Sequence, residues 1–323
     1  MKRFKNLLAI VNASPGDQEI VERATELARS NDARLSFCSA HNADGPASSL
    51  LKKTETFQQL ERLLKNERNS ALERAVRHAE AQGQPATAHL LEGKPFLTII
   101  RQAIGENHDL VLFPDEPTPS LSSRLFGSTA THLLRKCPCP VWVLKPQAEQ
   151  TQRARFRRVL AAVNAVADSP EETELNRKIL ELATSLASRE AAEMHVIHCW
   201  DVYGESMLAG PRGFLSPDEL SLHRSETRDL HGHALNAILE PRFEDGHRIR
   251  KHLSKGDPGI LIPDVADRIG ADVVVMGTVA RTGIDGVFIG NTAEQVIQRI
   301  GRSVLAVKPD GFVSPVKPKL DGS

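Results

Sequence analysis

Short apolar runs alternate with longer segments of helical periodicity along the chain. In the first half, the runs with the length and the Val, Ile and Leu content of buried strands are Asn6–Val11, Arg34–Ser39, Thr87–Leu91, Asp109–Phe113 and Val141–Leu144. The segments predicted to be helices between them are Gln18–Arg29, Leu51–Ala81, a stretch opened by Pro95, and Ser128–Lys136. Strands that are apolar on both sides and alternate with helices indicate a parallel sheet covered on both faces. We therefore predict an α/β fold with an open, doubly wound sheet of five strands.

The second half of the chain, Arg158–Val307, repeats this order of elements. Identical residues recur 163 positions apart, as in His89 and His252, Gly93 and Gly256, Asp109 and Asp272, Gly127 and Gly290, and Lys145 and Lys308. The first strands align instead at an offset of 152, where Asn12 and Asn164 each close an apolar strand. The difference predicts an insertion of 11 residues between the second and third strands of the second copy, with Gly204–Pro217 as the candidate.

The repeat divides the chain into two domains. We predict the first domain over residues 1–146, a polar linker over 147–155 and the second domain over 156–309. The last residues, 310–323, are rich in Pro, Lys and Gly, and we predict that they are disordered.

Composition and charge narrow the range of functions. The 323 residues include 41 Lys and Arg against 41 Asp and Glu, and only 4% are aromatic. The chain has neither a global positive field nor many platforms for stacking bases, so we expect no nucleic-acid partner. No apolar stretch reaches the roughly 18 residues of a membrane-spanning helix, and the four cysteines have no disulfide-scaffold spacing. We expect a cytoplasmic protein that does not insert into a membrane.

One segment of the second copy has the features of a phosphate-binding loop. A buried strand ends at Met276, Gly277 allows a sharp turn with no side chain toward a ligand, and Gly290 precedes a helix. The free N–H groups and the dipole of that helix N-terminus can bind a phosphate, and Asn291 and Thr292 can add hydrogen bonds. No Gly-Lys-Ser/Thr follows and the glycines are too far apart for a GxGxxG turn, so the loop is neither a Walker loop nor a dinucleotide-binding turn.

The segment Gly277–Ile297 and its counterpart Leu133–Pro146 resemble the universal stress proteins of the tandem type, and the resemblance covers both copies. It implies two tandem Rossmann-like domains of the adenine nucleotide alpha hydrolase-like kind. ATP-binding members of the family have the pattern G-x2-G-x9-G-[ST], which falls here on Gly277, Ala280, Gly290 and Asn291. The implied site for ATP or another adenine nucleotide consists of Asn164, Met276, Gly277, Thr278, Ala280, Gly290, Asn291 and Thr292.

Three positions of the second copy depart from the family pattern: Ala280, Asn164 and Asn291, which stands where the family has Ser or Thr, with the hydroxyl of Thr292 next to it. Ala280 stands where the family has its second glycine; if a positive φ is needed there, the alanine costs on the order of 1–2 kcal/mol, about tenfold in affinity. Asn164 stands where the family has an acidic residue, and it keeps a hydrogen-bonding group without the charge. Nucleotide binding by the second copy is therefore left open by the sequence.

The first copy diverges further at the same loop. Pro114 and Pro117 stand at the positions that match Gly277 and Ala280. A proline ring fixes φ, removes the N–H and fills the space of a phosphate, and the neighbouring acids Asp115 and Glu116 would repel it. We expect the first copy to have lost nucleotide binding.

The resemblance implies a stress-response protein that acts by regulation, in resistance to DNA-damaging or oxidative conditions. No Ser-His-Asp order, nucleophile elbow or pair of carboxylates at a strand end is present, so we expect no enzyme, with slow ATP hydrolysis left open. The alternative is an interaction module without nucleotide, which holds an apolar ligand beneath the insertion. The favoured role of the insertion is a lid packed on the second copy, formed by Met207, Leu208, Pro211, Phe214 and Leu215.

Single-domain relatives pair their last strands in a dimer. The resemblance therefore implies that Val141–Leu144 and Val304–Val307 pair within this chain. A homodimer of the whole chain is left open.

Two smaller constellations are expected to be structural. His195 and His198 lie three residues apart on one predicted strand, hence on opposite faces, which disfavours a shared metal ion. Cys137 and Cys139 invite a redox interpretation, but a disulfide across a single residue is strained. We expect neither a metal site nor a redox pair.

Overall fold

The structure is a computed structural model that describes residues 4–42, 54–115, 126–145, 156–208, 215–244, 248–278 and 289–318, with the side chains of 241–244 left aside. The predicted linker, 147–155, lies outside these ranges. None of the helices within the described residues is long and apolar enough to cross a membrane.

Each copy alternates strands and helices in the predicted order. The first copy comprises β1 (Asn6–Ile10), α1 (Asp17–Asn31), β2 (Arg34–His41), α2 (Glu55–Ala81), β3 (Ala86–Glu92), α3 (Pro95–Gly105), β4 (Leu110–Pro114), α4 (Ser128–Lys136) and β5 (Val141–Leu144). The second copy comprises β6 (Arg158–Ala162), α5 (Pro170–Glu190), β7 (Glu193–Trp200), the short α6 (Glu205–Leu208), α7 (Pro217–Glu244), β8 (Ile249–Lys255), α8 (Pro258–Ile269), β9 (Val273–Gly277), α9 (Asn291–Arg299) and β10 (Ser303–Val307).

The ten strands form one sheet in the order β3-β2-β1-β4-β5-β10-β9-β6-β7-β8. All pairs within a copy are parallel, which confirms the predicted five-stranded parallel sheet of each domain. The two copies join through β5 and β10, which are antiparallel and place Trp142 opposite Leu305. The expected pairing of the two last strands therefore occurs within the chain.

Helices cover both faces of the sheet, and each face has a hydrophobic core that extends through both copies. Neighbouring residues of one strand point to opposite faces, so Leu7 belongs to the first core and Leu8 to the second. The first core lies beneath α1, α2, α5 and α7, and the second beneath α3, α4, α8 and α9. Burial of both strand faces explains why these strands are apolar throughout rather than alternating.

Charged side chains also connect the copies. On the first face, the buried Arg23 guanidinium lies 3.2 Å from Glu190 and 4.0 Å from the ring centroid of Phe156. On the second face, Arg135 of α4 forms an ion pair with Glu294 of α9. Because a buried charge is costly unless it is paired, the contact of Arg23 with Glu190 favours this arrangement of the two copies.

The strand registers correct the predicted place of the insertion. Asn6 pairs with Arg34 in the first copy and Arg158 with Glu193 in the second, so the second strands are offset by 159 residues and not by 152. The third strands are offset by 163. Seven of the eleven extra residues thus lie between the first and second strands, where α5 has 21 residues against 15 in α1. Only four lie between the second and third strands, the region of the proposed candidate.

The residues after the last strand pack on the first copy. Ser314 Oγ donates to the carbonyl oxygen of Lys136 (2.7 Å), Arg101 Nε donates to that of Lys317 (3.4 Å), and Val316 is buried in the second core. The expectation of disorder from residue 310 therefore does not hold for residues 310–318. Burial of an apolar side chain offsets the conformational entropy that the polar composition alone would leave uncompensated.

Candidate functional site

A cavity of about 540 Å³ opens in the second copy at the carboxyl ends of β6, β7 and β9. This volume is within the range of about 300–1,000 Å³ that is typical of small-molecule sites. Its lining includes six of the eight residues expected from the sequence, namely Asn164, Met276, Gly277, Gly290, Asn291 and Thr292. The cavity therefore lies where doubly wound sheets bind their ligands.

The N-terminus of α9 forms one end of the cavity. Gly290 is the N-cap residue and has no side chain to cap the helix, and its own N–H donates to the carbonyl oxygen of Thr278 (3.1 Å). The first backbone bond of the helix is donated by Glu294 to Gly290 (2.9 Å), which leaves the N–H groups of Asn291, Thr292 and Ala293 outside the helical pattern. Such a helix end can bind a phosphate or another anion.

Gly277 is required by the packing of α5 against the end of β9. A Cβ atom at this position would lie 2.7 Å from Leu175 Cδ2 and 3.3 Å from Leu175 Cγ. In the first copy Pro114 occupies the matching position, and Gly16, which the offset of 159 residues matches with Leu175, has no side chain; a Cβ atom there would lie 3.9 Å from Pro114 Cβ. The glycine thus serves the shape of the cavity wall; it lies within β9 and has no positive φ.

The backbone of Asn164 is bound on both sides by a single side chain of α5. Asn164 N donates to Asn176 Oδ1 (3.1 Å), and Asn176 Nδ2 donates to the carbonyl oxygen of Asn164 (2.6 Å). The side chain of Asn164 donates from Nδ2 to Glu172 Oε1 (2.7 Å). Glu172 and Asn176 also line the cavity. Neither residue was expected from the sequence: Glu172 lies in the lengthened part of α5, and Asn176 matches Asp17, the first residue of α1.

Thr278 is placed differently from the other expected residues. It is fully buried, and its hydroxyl accepts a hydrogen bond from Lys308 Nζ (2.6 Å), which also donates to the carbonyl oxygen of Leu134 (2.6 Å). Thr278 therefore faces the protein interior and does not line the cavity. Burial lowers the pKa of Lys308 to about 8. The remaining expected residue, Ala280, lies outside the described residues.

A histidine pair forms another part of the wall. His198 lines the cavity, its Nδ1 lies 3.2 Å from the backbone N of Ala165 and 3.3 Å from the carbonyl oxygen of Val163, and its Nε2 lies 2.7 Å from Nδ1 of His231. One of the two rings donates in the contact between Nε2 and Nδ1, and the tautomer of His198 decides which. Burial lowers the pKa of His198 to about 4, and that of His231 is lowered by the same cause. Both rings are therefore neutral in the folded protein near pH 7.

In the first copy, a carboxylate occupies the matching helix end. Asp115 corresponds to Thr278, and its Oδ1 accepts a hydrogen bond from the N–H of Gly127, the N-cap residue of α4 (3.0 Å). Its Oδ2 lies 3.8 Å from Lys145 Nζ, which corresponds to Lys308. The carboxylate thus binds the backbone N–H that corresponds to the one bound by the carbonyl oxygen of Thr278 in the second copy. Glu116 and Pro117 lie outside the described residues.

The remaining candidates do not form part of the site. His195 contacts His252 (Nδ1 to Nε2, 2.9 Å) on the face of β7 opposite to His198, as its spacing predicts. Cys137 and Cys139 are buried thiols whose sulfur atoms lie 3.6 Å apart. Within the described ranges, no group of three His, Cys, Asp or Glu side chains could hold a metal ion.

The described residues of the insertion do not line the cavity. Met207 is 71% exposed, and the cavity lining includes neither Met207 nor Leu208 nor Leu215. The exposed methionine contributes no apolar contact to the core of the second copy. Pro211 and Phe214 lie outside the described residues.

Comparison with known proteins agrees with the repeated fold. The model of the Universal stress protein family matches residues 3–145 and 155–308. Universal stress protein E from Salmonella typhi is 30% identical over 320 residues, which cover 98% of each chain. A crystal structure from Pseudomonas aeruginosa UCBPP-PA14, described as a universal stress protein, has a TM-score of 0.68 at 22% identity and covers 96% of this chain and 95% of its own.

A universal stress protein from Archaeoglobus fulgidus, solved in complex with dAMP, matches 48% of this chain and 99% of its own, at 22% identity and a TM-score of 0.29. The nucleotide is a property of that protein. The two family matches and the full-length relative lead to one conclusion: this chain belongs to the universal stress protein family, with two tandem domains and the stress-response role of that family.

Proposed function

We propose that the second domain binds an adenine nucleotide and that the protein acts in the stress response as a regulator rather than as an enzyme. The observation that carries the proposal is the cavity at the carboxyl ends of β6, β7 and β9, closed at one end by the uncapped N-terminus of α9. A helix N-terminus favours the negative charge of a phosphate. The rest of the lining is suited to a flat apolar group, because Leu175, Ile179, Ile197 and Ile262 contribute to it.

The chemistry of the lining supports binding without turnover. The described lining contains one carboxylate, Glu172, which is engaged with Asn164 and with the N–H of Asp168 (3.0 Å). His198 is engaged at both ring nitrogen atoms. Neither group is placed to activate a water molecule, so we propose that a bound ATP is held and not hydrolysed at a useful rate.

Calorimetric titration of ATP into the full chain tests the proposal, and the repeat supplies a matched control. Thr292→Glu puts a carboxylate on the second residue of α9, where it would repel a phosphate; Thr129→Glu makes the same change at the matching position of α4. We expect Thr292→Glu to weaken ATP binding at least about tenfold and Thr129→Glu to leave it unchanged. Absence of binding to the wild-type protein at millimolar ATP, or equal loss in both variants, would refute a nucleotide site in the second domain.

We further propose that occupancy of this site supports resistance to oxidative or DNA-damaging stress. Cells that carry Thr292→Glu should then survive hydrogen peroxide or ultraviolet light less well than cells that carry Thr129→Glu, at equal protein levels. Equal survival would separate the nucleotide from the stress response. The cytoplasmic location and a homodimer of the whole chain stay predictions of the sequence.

A further inference from the structure

The N-terminal part of α5 has no counterpart in α1. Helix α1 ends at Asn31 and α5 at Glu190, and the same offset of 159 residues matches Asp17, the first residue of α1, with Asn176. Residues 170–175 are therefore an extension present only in the second copy. This extension contributes Glu172 and Leu175 to the wall of the cavity. The second copy thus has a cavity wall that the duplication alone would not have provided.

Asp17 and Asn176, the residues matched at this position, show which contacts the two copies share and which occur in the second copy alone. Asp17 Oδ1 accepts from the N–H of Asn12 (2.9 Å), just as Asn176 Oδ1 accepts from the N–H of Asn164 (3.1 Å). Binding of the backbone after the first strand is thus common to both copies. The contact between Glu172 and the side chain of Asn164 occurs only where the extension is present.

Glu172 determines which way the amide of Asn164 faces. An ionised carboxylate only accepts hydrogen bonds, so the group that it contacts at 2.7 Å must be the Nδ2 donor of Asn164. The other oxygen, Oε2, accepts from the N–H of Asp168 (3.0 Å) and thereby holds the carboxylate in place. Asn164 lines the cavity, and its Oδ1 makes no hydrogen bond within the part of the chain that the structure describes. Of the two N–H groups of Nδ2, one is bound to Glu172, and Oδ1 is the acceptor that the residue offers to a ligand.

We infer that Glu172 is a positioning residue that makes the site selective for a base with an amino group on its facing edge, at purine position 6. The inference rests on the proposed nucleotide site. With the phosphate at α9, the base lies toward the ends of β6 and β7, among the apolar side chains of Ile179, Ile197 and Ile262 and beside Asn164. An amino group at position 6 donates to Oδ1, whereas a carbonyl at that position would face Oδ1 with two acceptors opposed.

The test compares adenosine and inosine 5′-monophosphates, which bear an amino group and a carbonyl at position 6. Both are titrated into the full chain and into Glu172→Gln. In this variant the Gln oxygen keeps the hydrogen bond from the N–H of Asp168, and the Gln amide then faces Asn164. Asn164 then turns over and offers Nδ2 to the ligand. We expect a preference for adenosine monophosphate of about tenfold in the wild-type protein, and a preference that is lost or reversed in Glu172→Gln.

Glu171→Gln is the matched control, because it removes the same charge from the first turn of the same helix at an exposed residue outside the cavity lining. It should leave the ratio of the two affinities unchanged. If Glu172→Gln fails to fold, as judged by circular dichroism, Glu172→Ala replaces it, and the ratio should approach one because the amide is no longer held.

Two results would overturn the inference and they are distinguishable. Wild-type protein that binds neither monophosphate and no ATP contradicts the nucleotide site itself. Wild-type protein that binds both, with a ratio that Glu172→Gln does not change or that Glu171→Gln changes equally, leaves the nucleotide site standing and refutes the role of Glu172.

Discussion

The substitution Gly277→Ala tests whether α5 shapes the end of β9. The added Cβ would lie 2.7 Å from Leu175 Cδ2, closer than the 3.0 Å below which a neighbouring atom must move, and 3.7 Å from Ile179 Cδ1. Leu175 is half-buried, packs partly on the first core and lines the cavity, so it must change its rotamer to make room for the new methyl group. Overpacking of this kind costs about 1–3 kcal/mol. We therefore expect Gly277→Ala to lower the free energy of unfolding by that amount.

A double-mutant cycle separates this clash from any general effect of the new methyl group. Leu175→Ala alone should cost about 1–2 kcal/mol for a half-buried leucine, and it also removes the atoms that clash. The double variant should then be more stable than the sum of the single effects predicts, by about 1 kcal/mol or more. The measurement is urea-induced unfolding of all four proteins, followed by circular dichroism.

Gly232→Ala, in α7 of the same domain, is the matched control for the methyl group. Its Cβ would approach only Leu253 Cδ2, at 3.6 Å, which is an ordinary contact. Removing a glycine from a helix interior should stabilise the protein by up to about 1 kcal/mol. Additive effects of Gly277→Ala and Leu175→Ala, or a Gly277→Ala variant as stable as the wild type, would refute the proposed contact.

Two further predictions concern pH. The pKa of Lys308 is about 8 in the folded protein against an ordinary value of 10.5, so between these pH values the unfolded chain binds more protons than the folded one. The free energy of unfolding of the wild type should therefore rise with pH relative to that of Lys308→Met. Free energies of the two proteins, measured by urea unfolding from pH 7 to 11, that change equally with pH would contradict this. The pKa of His198 is about 4 in the folded protein against an ordinary value of 6.5, so the free energy of unfolding should fall as the pH falls from 6.5 to 4. His198→Gln should reduce the slope of the free energy of unfolding against pH by the equivalent of up to one proton. An unchanged slope would show that His198 is already charged in the folded state.

The arrangement of elements could be predicted because it depends on local periodicity. Strand β4, for example, is buried at all five positions, and its apolar run has no polar alternation that would suggest an exposed face. The pairing of β5 with β10 followed from a resemblance to the family and not from the residues of either strand. Nothing in the run Val141–Leu144 specifies an antiparallel partner rather than a parallel one.

There is a physical reason why the sequence did not reveal where the extra residues lie. Seven added residues amount to almost two helical turns, so the apolar face of α5 keeps its phase and the lengthened helix has the pattern of an ordinary one. The segment near Met207 was predicted to hold the insertion because its composition is unusually apolar for a connection. That segment contributes only four of the extra residues, and the methionine is exposed.

The sequence by itself determined that this protein consists of two copies of one α/β domain. It also showed that the second copy keeps Gly277, Gly290 and Thr292 in the region of the candidate phosphate-binding loop. These features depend on the spacing of residues along the chain, and that spacing can be recognised from the periodicity and the repeat. Only the tertiary structure decided that Thr278 points inward to Lys308, that Asp115 accepts from the N–H of Gly127 in the first copy, and that Glu172 holds Asn164. Those contacts join residues that are 8 to 30 positions apart, and their geometry depends on how helices pack on the sheet rather than on any local pattern.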